Sequence, residues 1–530
     1  MKMMNKLKYA IISGALILSL VCINSCTNLE ETPQDKVTSD VLIQDPSLIP
    51  NLIAPALGQL RFLWYREGVW GMQEANTDEL TFPTRGTDWF DGGVWQQQCL
   101  HTWTPLHRDV NNVWNQLNNG IAKANFGISV LGTEEDVTEE VKNYRGMLRF
   151  LRNYYSYMVM DIYGQMPYRD AFSSDYNTNP EYLTRKQAFN FLTKDTKEIL
   201  DIMPDRATAK YGVPTKDAAL MLLAKLYLNK EVYTGEAAWD SCLMYLDPVI
   251  QSGSYQLADD YFGIFDPDND QNFRKNGDEA IFVSGLDDTD AYGMNTTVIW
   301  VQQTLHYNQG LGMGYGNWNG CIAPQSYLEQ CWFKGTDQNT DIRWADSTIW
   351  AETAIVKGFN IGQQYDPDHV TPLTTRGGDP LVYTVECPLD GAIENQGVRV
   401  IKYSPTLTPV NVTRVPNDYV IWRYADALLM KAECQARKGD LSSALNIVNQ
   451  IREKRRAPLM SSLSLIDILD ERGRELYWEG HRRQDMIRFG TFLLPRTNKD
   501  FTSPETALII PIPQTAIEAS DGALQQNPGY

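Results

Sequence analysis

The sequence predicts a mainly α-helical protein: tetratricopeptide-like helical repeats form a superhelical scaffold, overlaid by long loops with a few short strands. Three observations lead there. Apolar residues recur at three- and four-residue steps in two blocks, about 108–250 and about 418–490. One helix pair places Ala432, Gly439 and Ala444 at spacings of 7 and 5, with Leu445, Val448 and Ile451 continuing the face. Small residues at those offsets let paired helices approach closely, as in a tetratricopeptide unit. Between the blocks, residues about 250–415 are rich in Gly, Asn, Asp, Thr and Pro, the composition of long loops, and loops on a rigid scaffold are where binding residues collect.

The N-terminus is a targeting segment. Lys2, Lys6 and Lys8 precede an uncharged, mostly apolar run from Ala10 to Val21, which ends in Ile23-Asn24-Ser25-Cys26. That run is too short for a membrane span of about 20 residues and fits a secretory signal over residues 1–25. The cysteine after a small residue points to a lipoprotein signal, in which Cys26 is acylated and becomes the new N-terminus. Cys22 has no small residue before it, and plain secretion with a coincidental cysteine is the alternative. Residues 26–45 then form an acidic, extended tether with Glu30, Glu31, Asp35 and Asp40. Its Leu29-Glu30-Glu31 cluster resembles a signal for export to the outer cell surface. Residues 46–530 are expected to be a single domain.

Within that domain, Lys142–Ile162 carries Leu148, Leu151, Tyr155, Met158 and Ile162 on one face and is stopped by Gly164 and Pro167. Arg185–Met203 and Lys216–Asn229 continue the first block. Tyr424–Lys438, Leu441–Arg455 and Leu465–Phe489 form the second. A net charge of −19 argues against nucleic acid or anionic lipid headgroups as partners. Cysteines 99, 242, 321, 331, 387 and 434 are widely spaced, so no zinc site is indicated. A Cys321–Cys331 bridge and buried free thiols both fit.

Several motifs stand together in order. Asp418-Tyr419-Val420-Ile421-Trp422-Arg423-Tyr424-Ala425-Asp426 leads into a helix. It is followed by Leu469-Asp470-Glu471-Arg472-Gly473-Arg474-Glu475-Leu476-Tyr477-Trp478-Glu479-Gly480-His481-Arg482-Arg483-Gln484-Asp485. The chain ends with Pro511-Ile512-Pro513 and Asn527-Pro528-Gly529-Tyr530, and the N-terminal half contributes Gly86-Thr87-Asp88-Trp89, His101-Thr102-Trp103 and Tyr163-Gly164-Gln165-Met166-Pro167. Over nearly the whole mature chain this resembles the SusD/RagB family of surface nutrient-binding lipoproteins. The resemblance implies four tetratricopeptide-like units and a glycan site in the overlying loops. It also implies anchorage to the outer membrane and a SusC-type TonB-dependent transporter as partner. Rival readings are a secreted glycoside hydrolase on a helical scaffold and a peptide-binding member of the same family.

Two motifs carry residue types used in catalysis and metal binding. Glu471, Glu475 and Glu479 lie one helical turn apart, and paired carboxylates can serve a glycosidase as acid and base. Each has an arginine nearby, however, and Asp470–Arg474, Glu479–Arg483 and Arg482–Asp485 are the expected pairs. Pairing holds carboxylates ionised, so a structural ion network is expected and no catalytic residue is assigned. Asp266, Asp268 and Asp270 imitate the start of a calcium loop, but Gln271 stands where the turn glycine belongs. No metal or cofactor is assigned, and calcium near these residues remains an alternative. The five histidines, including His101 and His107, show no ligand spacing.

Loop aromatics carry the binding expectation. An indole offers a flat apolar surface to the C–H face of a sugar, and neighbouring Asp and Asn bond its hydroxyls. Asp88-Trp89-Phe90-Asp91-Gly92-Gly93-Val94-Trp95, Tyr292, and Tyr315-Gly316-Asn317-Trp318-Asn319-Gly320 have that chemistry. Trp89 and Trp318 lead, then Tyr292, with Asp88, Asn319 and Tyr315 beside them. For Trp89 and Trp95 two readings stand, a platform or a plug for the core.

Overall fold

Helices start where short polar side chains can satisfy their first free N–H groups. Thr138 accepts from the Val141 amide, and Asp440 from Ser443. Thr184 with Gln187, and Ser464 with Asp467, form reciprocal capping boxes. The computed structural model describes residues 48–133, 137–173, 178–271, 278–285, 303–310, 316–346, 355–404 and 417–530. Cys26, the acidic tether, Tyr292 and Tyr315 lie outside them.

In chain order the main helices of the first block are α1 (Pro50–Gln59), α2 (Val69–Glu74), α3 (Val94–Leu100), α4 (Arg108–Leu131) and α5 (Glu139–Tyr163). Then follow α6 (Arg185–Glu198), α7 (Lys216–Leu228) and α8 (Trp239–Gln251). The second block is α9 (Tyr424–Arg437), α10 (Leu441–Lys454), α11 (Leu465–Leu476) and α12 (Arg482–Arg488). α4 packs on α5, α7 on α8, and α9 on α10 as helical hairpins, while α8 lies against α9 and joins the two blocks. The repeat signature does its work here: Ala432 and Ala444 are fully buried between α9 and α10, and Gly439 turns the chain at φ 90°.

The strands are short and paired across long sequence distances. β1 (Gln165–Tyr168) pairs with β2 (Glu181–Thr184), both antiparallel within the first block. In the loop-rich region, β3 (Ala280–Ser284) pairs with β8 (Tyr419–Arg423), β4 (Gly358–Asn360) with β7 (Arg399–Ile401), and β5 (Gly362–Gln363) with β6 (Val382–Tyr383). β3 and β8 are buried on both faces, and Phe282 and Trp422 pack there with Phe150 and Tyr154 of α5.

One expected helix is two. The Leu465–Phe489 periodicity breaks at Tyr477–His481, where Trp478 takes the left-handed conformation at φ 58°. The break frees two backbone amides for buried carboxylates: Trp478 N–H donates to Glu79 at 2.5 Å and Gly480 N–H to Glu74 at 2.6 Å. Local periodicity favours continuing the helix, and these contacts with α2 and its following loop override it.

The carboxylate–arginine motif forms a buried ion network. Glu475 accepts from Arg343 at 3.0 Å, Arg423 at 2.7 Å and Arg455 at 2.8 Å, and all four side chains are inaccessible to solvent. Burial alone would raise the Glu471 carboxyl, but Arg343, Arg474 and Arg452 outweigh it and hold it down to about 2. Glu475 is likewise held well below the carboxylate range by Arg455, Arg423 and Arg343 against its burial. The expected local pairs are replaced by others. Arg474 takes Glu471, Glu479 takes Arg423 and Lys402, Arg482 takes Asp78, Arg483 faces Asp161, and Asp485 takes Arg472 and Arg488. Arg474–Glu471 and Arg488–Asp485 remain local pairs three residues apart, while the other partners come from distant segments because a buried guanidinium needs several acceptors, more than one helix face supplies.

All six described cysteines are buried free thiols, so Cys321 and Cys331 form no bridge. The Asp266 carboxylate accepts from the Lys357 ammonium at 2.8 Å and from the Ser404 hydroxyl, so it is already paired with a cation of the protein itself. Among the described residues, no group of three or more His, Cys, Asp or Glu could hold a metal ion.

Candidate functional site

The two leading tryptophans, 229 positions apart, meet. Trp89 Nε1 donates to the Trp318 carbonyl at 2.8 Å, and the rings lie 6.4 Å apart at 44°. A tight turn sets up the first: Arg85 and Asp88 exchange backbone hydrogen bonds of 2.9 and 3.0 Å, and Trp89 leaves the turn with φ 63°. A left-handed tryptophan is costly and persists only where its surroundings hold it. Phe82 stacks on it at 5.2 Å, and Gly320 lets the indole lie on the backbone, since a Cβ there would meet the ring at 2.3 Å. Both indoles remain half-buried, so Trp89 is at once wedge and platform. Trp95 is 1% exposed, with Nε1 donating to Asp91 at 2.7 Å; it is the core plug.

A cation sits against both rings. The Arg66 guanidinium lies 5.3 Å from the Trp318 ring, 5.8 Å from Trp89 and 4.6 Å from Tyr65. Among the described residues its Nε and Nη1 have no hydrogen-bond partner and are shielded from water, while its Nη2 lies 3.4 Å from the Glu67 carboxylate, so the guanidinium is shared between that carboxylate and the aromatic faces.

A polar wall edges the platform. Asp88 accepts the Tyr307 hydroxyl at 2.5 Å and lies 3.7 Å from Arg376. Arg376 stacks on the Tyr307 ring at 3.9 Å and pairs with Glu394 at 2.5 Å, and Glu394 also meets His306 at 3.0 Å. Burial and the adjacent Asp88 carboxylate push the Tyr307 phenol up, which keeps it a donor. Arg376 is largely exposed, as is Phe90 beside Trp89 at 50%. The wall and the indoles together form a partly exposed apolar surface bordered by fixed donors and acceptors, chemistry that suits a ring with one C–H face and several hydroxyls.

Asn319 belongs behind this surface. It is fully buried; its Oδ1 accepts from Arg399 at 2.6 Å, and its Nδ2 donates to the Glu394 carbonyl at 3.0 Å. It braces the loop, because its amide is spent on protein partners. Arg85 also holds the loop, donating to the Asn319 carbonyl at 2.8 Å. Of the expected set, Trp89, Trp318 and Asp88 come together. Sequence reasoning missed Arg66, Tyr307, Arg376 and Glu394; no spacing rule links four residues scattered over more than 300 positions.

Comparisons with known proteins agree with this architecture. A SusD family model matches residues 278–530, and one described as starch-binding and associating with the outer membrane matches residues 35–228. The starch-binding protein SusD of Bacteroides thetaiotaomicron is 26% identical over 421 residues, spanning 75% of this chain and 72% of that protein. A SusD-like protein, P2, of Formosa agariphila is 23% identical over 99% of this chain and 100% of its own. The crystal structure of a SusD superfamily protein from Parabacteroides distasonis superposes with a TM-score of 0.71 at 19% identity, covering 92% and 99% of the two chains. Surface glycan-binding protein A of Bacteroides thetaiotaomicron, solved with laminarihexaose, gives 0.67 at 21% identity over 91% and 99%. One family model takes in the Trp89 turn and the other the Trp318 loop and the ion network, and on these matches the chain belongs to the SusD/RagB family.

Proposed function

We propose that this protein is a non-enzymatic surface glycan-binding lipoprotein. It captures oligosaccharides on the Trp89–Trp318 platform and passes them to a SusC-type TonB-dependent transporter, held at the outer membrane by the Cys26 lipid. The observation that carries the binding step is the pair of half-buried indoles backed by Arg66 and edged by Asp88, Tyr307 and Arg376. Starch and laminarihexaose, named for two similar proteins, are a polymer and an oligomer of a pyranose, the ring such a platform suits. Against hydrolysis stand Glu471, Glu475 and Glu479, which are buried, paired and held ionised, so none can act as a general acid.

The test is incubation with maltoheptaose, laminarihexaose and a wider glycan panel, following retention and release of reducing ends. Retention without release is expected. Release of reducing ends overturns the non-enzymatic reading, and no retention of any glycan overturns the binding reading. For transport, a mild-detergent pull-down at native expression is expected to bring a large outer-membrane β-barrel, and free monomer alone would count against delivery.

A further inference from the structure

A cleft that shares no residue with the indole platform has the build of a second ligand site. It holds about 490 Å³ and is lined by Arg206, Lys210, Tyr211, Val213, Thr215 and Asp278, among others. That volume lies within the roughly 300–1,000 Å³ of small-molecule sites. Three elements frame it: the connection from α6 to α7, the turn after α8, and β3, whose Ala280, Ile281 and Val283 form an apolar floor.

Its polar groups are fixed in advance. Arg206 ion-pairs with Asp278, donates to the Ala280 carbonyl at 3.2 Å and lies 4.2 Å from the Tyr255 ring. Tyr211 is 40% exposed, and its hydroxyl donates to Asp418 at 2.6 Å, which fixes the phenol end of the ring. Thr215 is the observation that asks for a ligand. It occupies the N-cap of the 13-residue helix α7, yet its side chain makes no capping bond. The residue is more than nine-tenths buried, and its Oγ1 has no hydrogen-bond partner among the described residues. Threonine at an N-cap ordinarily accepts from the first turn of its helix, and buried hydroxyls are ordinarily paired.

Arg206 is neutralised by Asp278 within the cleft, and Lys210 is exposed to solvent. The paired charges leave no buried demand for an ionic ligand, and the lining offers an aromatic ring, donors and acceptors to a neutral polyhydroxylated one. We propose that this cleft is a second saccharide subsite, taking one or two pyranose rings against Tyr211 with hydroxyls toward Thr215 and the Arg206–Asp278 pair. The lining gives the chemistry; that a saccharide is what reaches it rests on the glycan reading above.

Saturation-transfer NMR with maltose, laminaribiose and mannobiose tests it on the mature protein, the Trp89→Ala/Trp318→Ala double variant, and that variant with Tyr211→Ala or Thr215→Val added. Expected is a signal that survives in the double variant and falls about tenfold when either cleft substitution is added, with circular dichroism unchanged. Thr215→Val keeps the shape should Tyr211→Ala unfold the protein. A signal lost in the double variant leaves the platform standing and overturns the cleft. A signal indifferent to both cleft substitutions also overturns it, and no signal from any disaccharide with the unsubstituted protein overturns the cleft whatever the glycan panel shows for the platform.

Discussion

The second helical block and the Trp89–Trp318 platform solve opposite problems with charge. Around α11, Glu471, Glu475 and Glu479 are packed away from water among cations, Glu471 and Glu475 with several guanidinium donors each and Glu479 with Arg423 and the Lys402 ammonium. On the platform the charges stay nearer the surface and pair unevenly: Arg376 meets Glu394 at 2.5 Å, but Asp88 meets Arg376 only at 3.7 Å and Arg66 meets Glu67 at 3.4 Å. The region that looks more chemical in the sequence is the one with no chemistry left to offer, since its groups are already satisfied. The binding candidate is the place where satisfaction is incomplete and backbone strain is held by packing.

That contrast can be broken in four ways. The largest effect is expected inside the network. Glu475→Gln leaves Arg343, Arg423 and Arg455 short of a buried counter-charge, and should destabilise the fold by about 3–5 kcal/mol. Urea denaturation measures it, and a loss below about 1 kcal/mol would mean the network is not what holds α11. On the platform the fold should survive while binding does not. Trp318→Ala and Trp89→Ala are each expected to cost about 2 kcal/mol of glycan affinity by titration, and near-unchanged affinity in both would remove the platform.

The third test lies where the two regions touch, at the loop from α2 to the Trp89 turn. Burial pushes the Glu79 carboxyl up to about 8 from an ordinary 4.5, with Asp78 adding to the rise and Arg482 opposing it. Because the folded value is raised, the stability from the protonated form is present below about pH 4.5 and is lost as pH rises through about 8. One such group gives a slope of at most about 1.4 kcal/mol per pH unit across that window. Glu79→Gln keeps the acceptor for Trp478 and should flatten the slope; thermal melts from pH 5 to 8 that are superimposable in both proteins would exclude a titration here. The smallest effect is expected for Arg66→Met, about 1 kcal/mol of affinity, with the melting temperature little changed. A large drop in melting temperature instead would make Arg66 a structural residue rather than a support for the indoles.

What could be read from the chain alone was local. Repeats such as Ala432, Gly439 and Ala444, and helix starts such as Thr138 and Ser464, depend on neighbours within a turn or two, so spacing suffices to find them. Trp89, Trp318 and Asp88 were legible as loop aromatics and acids for the same reason, though nothing local showed that the two indoles touch. Which arginine neutralises which carboxylate, why the helix breaks at Trp478, and why Asn319 faces inward were decided by partners up to about 400 positions away. A residue's periodicity records the element it sits in, whereas its partners, burial and charge state depend on which distant segments the fold brings against it. For that physical reason the scaffold was sequence-determined and the polar wall of Tyr307, Arg376 and Glu394 came only with the tertiary structure.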